Sequence, residues 1–158
     1  MQIRDIITPE RITSCMSVSS KKRVFEKIST LLRDDEVDLD QDTVFHSLVE
    51  RERLGSTCIG NGVALPHGRV KGLKKPVGAF ATLAQDIDYD ALDGEPIKMV
   101  FALLVPEDTN EEHLRALAAL ATILRDQDLC DRLLGAKSSQ EIYHLLTNCN
   151  DVTNRKVG

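Results

Sequence analysis

His67 stands between a proline and a glycine in Leu65-Pro66-His67-Gly68, a short apolar run after the triplet Gly60-Asn61-Gly62. A neutral imidazole carries one donor and one lone pair and changes charge near neutrality, which suits it to act as a nucleophile. Pro66 removes a strand donor and biases Leu65 to extended backbone, while Gly68 frees the chain to turn. We therefore expect Val63-Ala64-Leu65 to enter a sheet, Pro66 to stop the pairing, and His67 to sit exposed at the strand's exit. Gly60 and Gly62 around Asn61 suit a tight turn with positive φ. No side chain at Gly60, Gly62 or Gly68 keeps an anion from the backbone N–H groups there. Arg51 and Arg53, in Arg51-Glu52-Arg53-Leu54-Gly55, offer planar forks of donors for phosphate or carboxylate. These residue types give a reactive histidine beside an anion-friendly loop and leave the reaction open.

Each of the other candidates has a plain alternative. Arg51 and Arg53 also suit the end of a helix, where cations meet the negative pole of the dipole; spacing does not choose between the readings. His113 falls in the first turns of a helix, a common place for a polar boundary residue, and His46 lies mid-helix. Cys58 has apolar and glycine neighbours and reads as a packed thiol. The four histidines, 46, 67, 113 and 144, show no metal-ligand spacing, and the cysteines form no C-x-x-C pair. A dinucleotide fingerprint fails at Leu65, where its third glycine would stand, and there is no G-K-[ST] of a P-loop. No metal and no cofactor is expected.

The run Arg-Glu-Arg-Leu-Gly-Ser-Thr (51–57), followed by Ile-Gly-Asn-Gly-Val-Ala-Leu-Pro-His-Gly (59–68), resembles the phosphorylation site of IIA components of the bacterial phosphoenolpyruvate-dependent phosphotransferase system. The class is the mannitol/fructose one, and within it the nitrogen-regulatory branch is most similar. The resemblance implies that His67 accepts a phosphoryl group, on Nε2, from an HPr-like phosphocarrier, and that Arg51 offsets its charge. The pattern His113-Leu114-Arg115-Ala116-Leu117 matches a family histidine that supports the acceptor by a hydrogen bond. Gly60, Asn61, Gly62 and Gly68 then form a phosphoryl-binding loop. With no IIB, IIC or HPr-like segment attached, the chain is expected to stand alone and to control regulatory targets, potassium-transport and sensor-kinase proteins among them. A sugar-specific IIA subunit and a binding module without phosphate are the alternatives.

The elements that must position these residues follow from periodicity. Residues 1–18, with the apolar segment Ile3–Ile7 broken by Thr8-Pro9, read as an irregular or edge piece. Ser19 or Ser20 caps a helix to about Asp34, with Val24, Phe25, Ile28, Leu31 and Leu32 at helical spacing. Asp40 or Asp42 caps a second, burying Val44, Phe45, Leu48 and Val49; it runs to Arg53, and Gly55 supplies a left-handed cap. Val77–Leu83 reads as a strand, and the near-continuous apolar run Ile97–Val105 as a central strand covered on both faces. Thr109 and Glu112 form a capping box for a helix burying Leu114, Leu117, Ala118, Ala121 and Leu124. A short helix follows over Asp128–Leu134, and Ser138 with Glu141 opens the last one. This predicts a single α/β domain over 1–150, with a mixed sheet of about five strands flanked by helices on both faces and a polar tail, 151–158, that frays.

Composition sets the remaining bounds. The 158 residues suffice for one substantial core, and 42% hydrophobic with 28% charged residues is ordinary for a globular chain. A net charge of −5 and 4% aromatics argue against nucleic acid. No run is long enough for membrane insertion. The start carries no signal-peptide pattern, so the expected setting is cytoplasmic, with Cys15, Cys58, Cys130 and Cys149 reduced.

Overall fold

The computed structural model describes residues 2–108 and 111–148. Its frame is a mixed sheet of six strands: β1 Ile12–Met16, β2 Cys58–Gly60, β3 Val63–Ala64, β4 His67–Val70, β5 Val77–Ile87 and β6 Ile97–Pro106. The order is β1-β5-β6-β3-β2, with β4 also pairing β6. β5 runs antiparallel to β6, while β3 and β4 run parallel to it. The strand count exceeds the expected five because Ile12–Met16 pairs in parallel with β5 at the sheet's edge, inside a segment read as an irregular or edge piece. Ahead of it, Ile3–Asp5 forms a 3-10 turn, and Ile3 is buried together with Ile6 and Ile7 beyond it.

β6 behaves as its composition requires. Met99, Phe101, Leu103 and Val105 enter one core and Val100, Ala102 and Leu104 the other, the strict alternation of a strand covered on both faces. Helices α1 (Lys21–Leu32) and α2 (Gln41–Arg53) close one face. Helices α3 (Glu111–Leu124), α4 (Gln127–Gly135) and α5 (Ser139–Thr147) close the other. Side chains at their N-caps fix four of these starts: Ser20 accepts from Arg23 N–H, Asp40 from Thr43, Asp126 from Asp128 and Leu129, and Ser138 from Glu141. Glu141 does not complete a box on Ser138; its carboxylate accepts from the Lys137 N–H. The Thr109 cap and the 151–158 tail lie outside the described residues.

Three local expectations are corrected. Gly55 has φ +152°, a glycine conformation but not a left-handed helical cap; Leu54 closes α2, and Gly55 N–H bonds back to Glu52. The buried stripe of α3 is Ala116, Leu120, Ile123 and Leu124. Leu114 is left 53% exposed and Leu117 half-buried. The helix is apolar around more than one face, so periodicity alone does not orient it. Pro66, finally, does not end the strand pairing. Val63 and Ala64 pair with Met99 and Val100, and His67 and Gly68 with Leu103 and Leu104, at the same offset on both sides of the proline. The Pro66 carbonyl still accepts from Leu103 N–H at 3.0 Å. His67 thus begins a strand instead of leaving one.

Candidate functional site

In-register pairing along β6 sets which way each side chain points, because neighbours alternate across a strand. Val63 and Leu65 lie in the core under α3–α5, and Ala64 and Val70 in the core under α1–α2. By that alternation His67 faces the α3 layer and Gly68 faces α2. The absence of a side chain at Gly68 has a structural use: a Cβ there would run into Ser47 Oγ and stand 3.1 Å from the Ser47 carbonyl carbon. Ser47 Oγ instead donates to the Arg69 carbonyl at 2.9 Å. Helix α2 therefore lies close on β4, which brings its last turn and Arg51 to His67.

An open cleft of about 720 Å³ results, lined by His67, Gly68, Arg51 and His113 together with Leu54, Leu114 and Leu117. The sequence-predicted trio of two histidines and one arginine is brought together. Gly60, Asn61 and Gly62 do not join it. They form the turn between β2 and β3, with φ of +97°, +55° and +74°. There Asn61 Nδ2 donates to the Arg125 carbonyl at 3.1 Å and the Gly62 carbonyl accepts from Lys98 N–H at 2.6 Å. The turn geometry is the expected one, but its bonds tie the hairpin to the end of α3 and to β6. Arg53 points elsewhere, paired with Glu50 at 2.7 Å on the exposed side of α2.

The protonation of His67 follows from one bond. Its Nδ1 lies 2.9 Å from the Leu65 carbonyl. A carbonyl only accepts, so Nδ1 carries the proton of the neutral ring and the lone pair is left on Nε2. Burial pushes the imidazole pKa below its ordinary 6.5; the Leu65 bond and Glu52 work against this, and the charge of Arg51 works with it. The ring is thus neutral and nucleophilic at pH 7. The lowered pKa also carries a stability consequence: the unfolded chain takes up the proton first as pH falls. The contribution of His67 is complete above 6.5 and is lost as pH drops below that value toward the folded pKa. In a histidine-resolved NMR titration we expect the His67 midpoint below 6.5; a midpoint at or above 6.5 would contradict the burial argument.

Arg51 is half-buried, and one of its guanidinium nitrogens donates to the Gly55 carbonyl at 3.0 Å. That bond orients the fork and leaves further N–H groups for an anion. Sequence reasoning missed the apolar collar of the cleft. Leu54, just past the helix, is 84% exposed, and with Leu114 and Leu117 it surrounds the polar centre. Leu54 and Leu114 thus leave apolar surface exposed beside the polar centre. Their only sequence signal was a surplus of apolar residues around α3 and a leucine beyond the buried stripe of α2. Cys58 is half-buried and burial raises its thiol pKa, as a packed thiol requires. Among the described residues no group of three or more His, Cys, Asp or Glu is placed to hold a metal ion. No helix among them is long and apolar enough to cross a membrane.

Comparison with known proteins shows the family of the chain. Residues 5–149 match the family model described as phosphoenolpyruvate-dependent sugar phosphotransferase system, EIIA 2. A nitrogen regulatory protein of Bradyrhizobium diazoefficiens is 40% identical over 146 residues, covering 92% of this chain and 95% of that one. One from Pseudomonas aeruginosa is 40% identical, covering 94% and 96%. The crystal structure of nitrogen regulatory protein IIA-Ntr from Neisseria meningitidis superposes with a TM-score of 0.86 at 41% identity, over 92% of this chain and 99% of that one. The cleft around His67 thus lies in a chain that belongs to the EIIA type 2 family of the phosphoenolpyruvate-dependent phosphotransferase system.

Proposed function

We propose that the protein is a phosphocarrier of the nitrogen-related phosphotransferase system, accepting a phosphoryl group on His67 Nε2 from a phosphohistidine on an HPr-like carrier. The observation that carries this reading is the Nδ1–Leu65 bond, which leaves the Nε2 lone pair in a cleft shared with Arg51 and His113. In the transfer, the Nε2 electron pair forms the new N–P bond. The donor's N–P bond breaks, and its electron pair returns to the donor ring, which leaves neutral when its other nitrogen is protonated. The Nδ1 proton of His67 stays in place. It now sits on a ring made cationic by phosphorylation, and the Leu65 carbonyl dipole stabilises that charge. Arg51 faces the negative charge spread over the phosphoryl oxygens, where a positioned donor strengthens as the loose transition state forms. His113 adds a supporting hydrogen bond. The leucine collar suits a protein donor, which needs apolar area to dock.

The names of the relatives support a regulatory role, with target proteins that distinguish the phosphorylated from the unphosphorylated cleft by charge. A cytoplasmic setting accords with the free thiols of Cys15, Cys58 and Cys130. The second reading, a sugar-specific IIA subunit, is favoured by the family description. Incubation with phosphoenolpyruvate, enzyme I and an HPr-like carrier is expected to label the protein with acid-labile phosphate. Absence of label would leave a binding module of the same fold. Rapid discharge to a fructose- or mannitol-type IIB component would favour the sugar reading.

A further inference from the structure

Behind the cleft lies a polar network that the transfer scheme does not use. The Glu52 side chain is only 8% exposed and pairs with Lys21 Nζ at 2.9 Å. Its carboxylate also accepts from Thr57 Oγ1 at 2.6 Å and from Thr57 N–H at 3.2 Å. Thr57 is itself buried, and its hydroxyl stands 2.9 Å from the Tyr89 hydroxyl. The direction of these bonds is fixed by chemistry. A carboxylate only accepts, so the Thr57 proton goes to Glu52, and the Tyr89 phenol must donate to Thr57 Oγ1. Lys21 closes the group by donating to the Tyr89 carbonyl at 3.1 Å and lying 4.1 Å from its ring centre.

Two backbone links lead from this network to the reacting groups. The Thr57 carbonyl accepts from Leu65 N–H at 2.9 Å, and the Leu65 carbonyl accepts from His67 Nδ1. The segment between Glu52 and Thr57 also contains Gly55, whose carbonyl holds Arg51. One buried carboxylate therefore pins a turn that orients both the imidazole and the guanidinium. Resting on the phosphocarrier reading, we propose that Glu52 is a positioning residue for phosphoryl transfer: by clamping Thr57 it fixes the Leu65 carbonyl that holds His67 in its Nδ1–H tautomer and the turn that aims Arg51. A buried ion pair joining α1 to α2 would need none of these onward links, because Lys21 and Glu52 alone make that connection.

The test compares Glu52→Gln, Thr57→Val and Thr57→Ser, with two readouts. The first is the tautomer of neutral His67, read from its ring nitrogen shifts in the unphosphorylated protein. The second is transfer from the carrier, resolved into kcat and KM. In wild type and Thr57→Ser, which keeps the hydroxyl, the Nδ1–H tautomer should dominate. Glu52→Gln and Thr57→Val should show mixed tautomers. Their kcat should fall by about 10- to 100-fold, the scale for a reacting group displaced by a fraction of an ångström to an ångström. KM for the carrier should hold in Glu52→Gln, whose side chain lines neither the cleft nor the small pocket beside His67; Thr57 lines that pocket, so Thr57→Val is judged by its tautomer and kcat. A wild-type tautomer in both Glu52→Gln and Thr57→Val would overturn the proposal whatever their rates or stabilities. A Thr57→Ser variant as impaired as Thr57→Val would overturn it too, because packing would then be the cause. If wild type accepts no phosphate, the phosphocarrier reading fails, and the tautomer arm still decides whether Glu52 positions His67.

Discussion

His67→Ala is expected to abolish phosphate incorporation while leaving the protein folded. The side chain is half-buried and makes its resolved bond to one backbone carbonyl. Losing such a bond costs about 1 kcal/mol net, which shifts Tm by about 2–4 °C in a chain of this size. The strand itself does not depend on the imidazole, since β4 is held by backbone pairing to β6. The loss of activity should instead be complete, because the lone pair that the Leu65 bond leaves on Nε2 belongs to this ring. His113 shares the cleft, so the variant also asks whether it can substitute. Acid-labile phosphate at wild-type levels on His67→Ala would remove His67 from the acceptor's role.

The second large effect is expected at Arg51, where charge alone should not suffice. Its guanidinium spends one donor on Gly55 and keeps a planar face of donors for phosphoryl oxygens. Lysine retains the charge but has neither the fork nor the reach to be oriented by the same carbonyl. Arg51→Lys should slow transfer by about 10- to 100-fold, below the full effect of losing a donor in a dry site because this cleft is open to water. Arg53→Lys is the control, since Arg53 is exposed and its charge already meets Glu50. Comparable rates for wild type and Arg51→Lys, measured at saturating carrier, would return Arg51 to a helix-end cation.

Much of this site was legible because its chemistry is written in local residues. The glycines around Asn61 demanded a positive-φ turn, and all three residues adopt one. The apolar run of β6 predicted a doubly covered strand, and the serine and aspartate caps placed three helix starts, at Ser20, Asp40 and Ser138. What escaped was set by tertiary contacts. Glu52 read as one charge in a basic helix end, and nothing near it announces that Tyr89 and Lys21 come from distant elements to surround it. Gly68 read as an opening for an anion, whereas its bare backbone first serves the approach of Ser47. The Gly60–Gly62 turn looked like part of the phosphoryl cradle because it is close in sequence. Its bonds hold it to Arg125 and Lys98 instead. In α3 the abundance of alanine and leucine hid which side met the sheet, and with it the leucine collar.

The unbroken register across Pro66 has a consequence for how this segment tolerates change. Sides alternate along a strand, so a shift of one position sends every side chain to the opposite face. Removing or adding a single residue between Ala64 and His67 would turn the imidazole away from the α3 layer toward Ser47 and would bring a bulkier neighbour into the space Gly68 leaves for α2. Pro66, without an N–H to place in the ladder, can be exchanged more readily than it can be deleted. Between hairpin and histidine, the chain is free in its letters but bound in its length, and the parity of that count decides which way the acceptor faces.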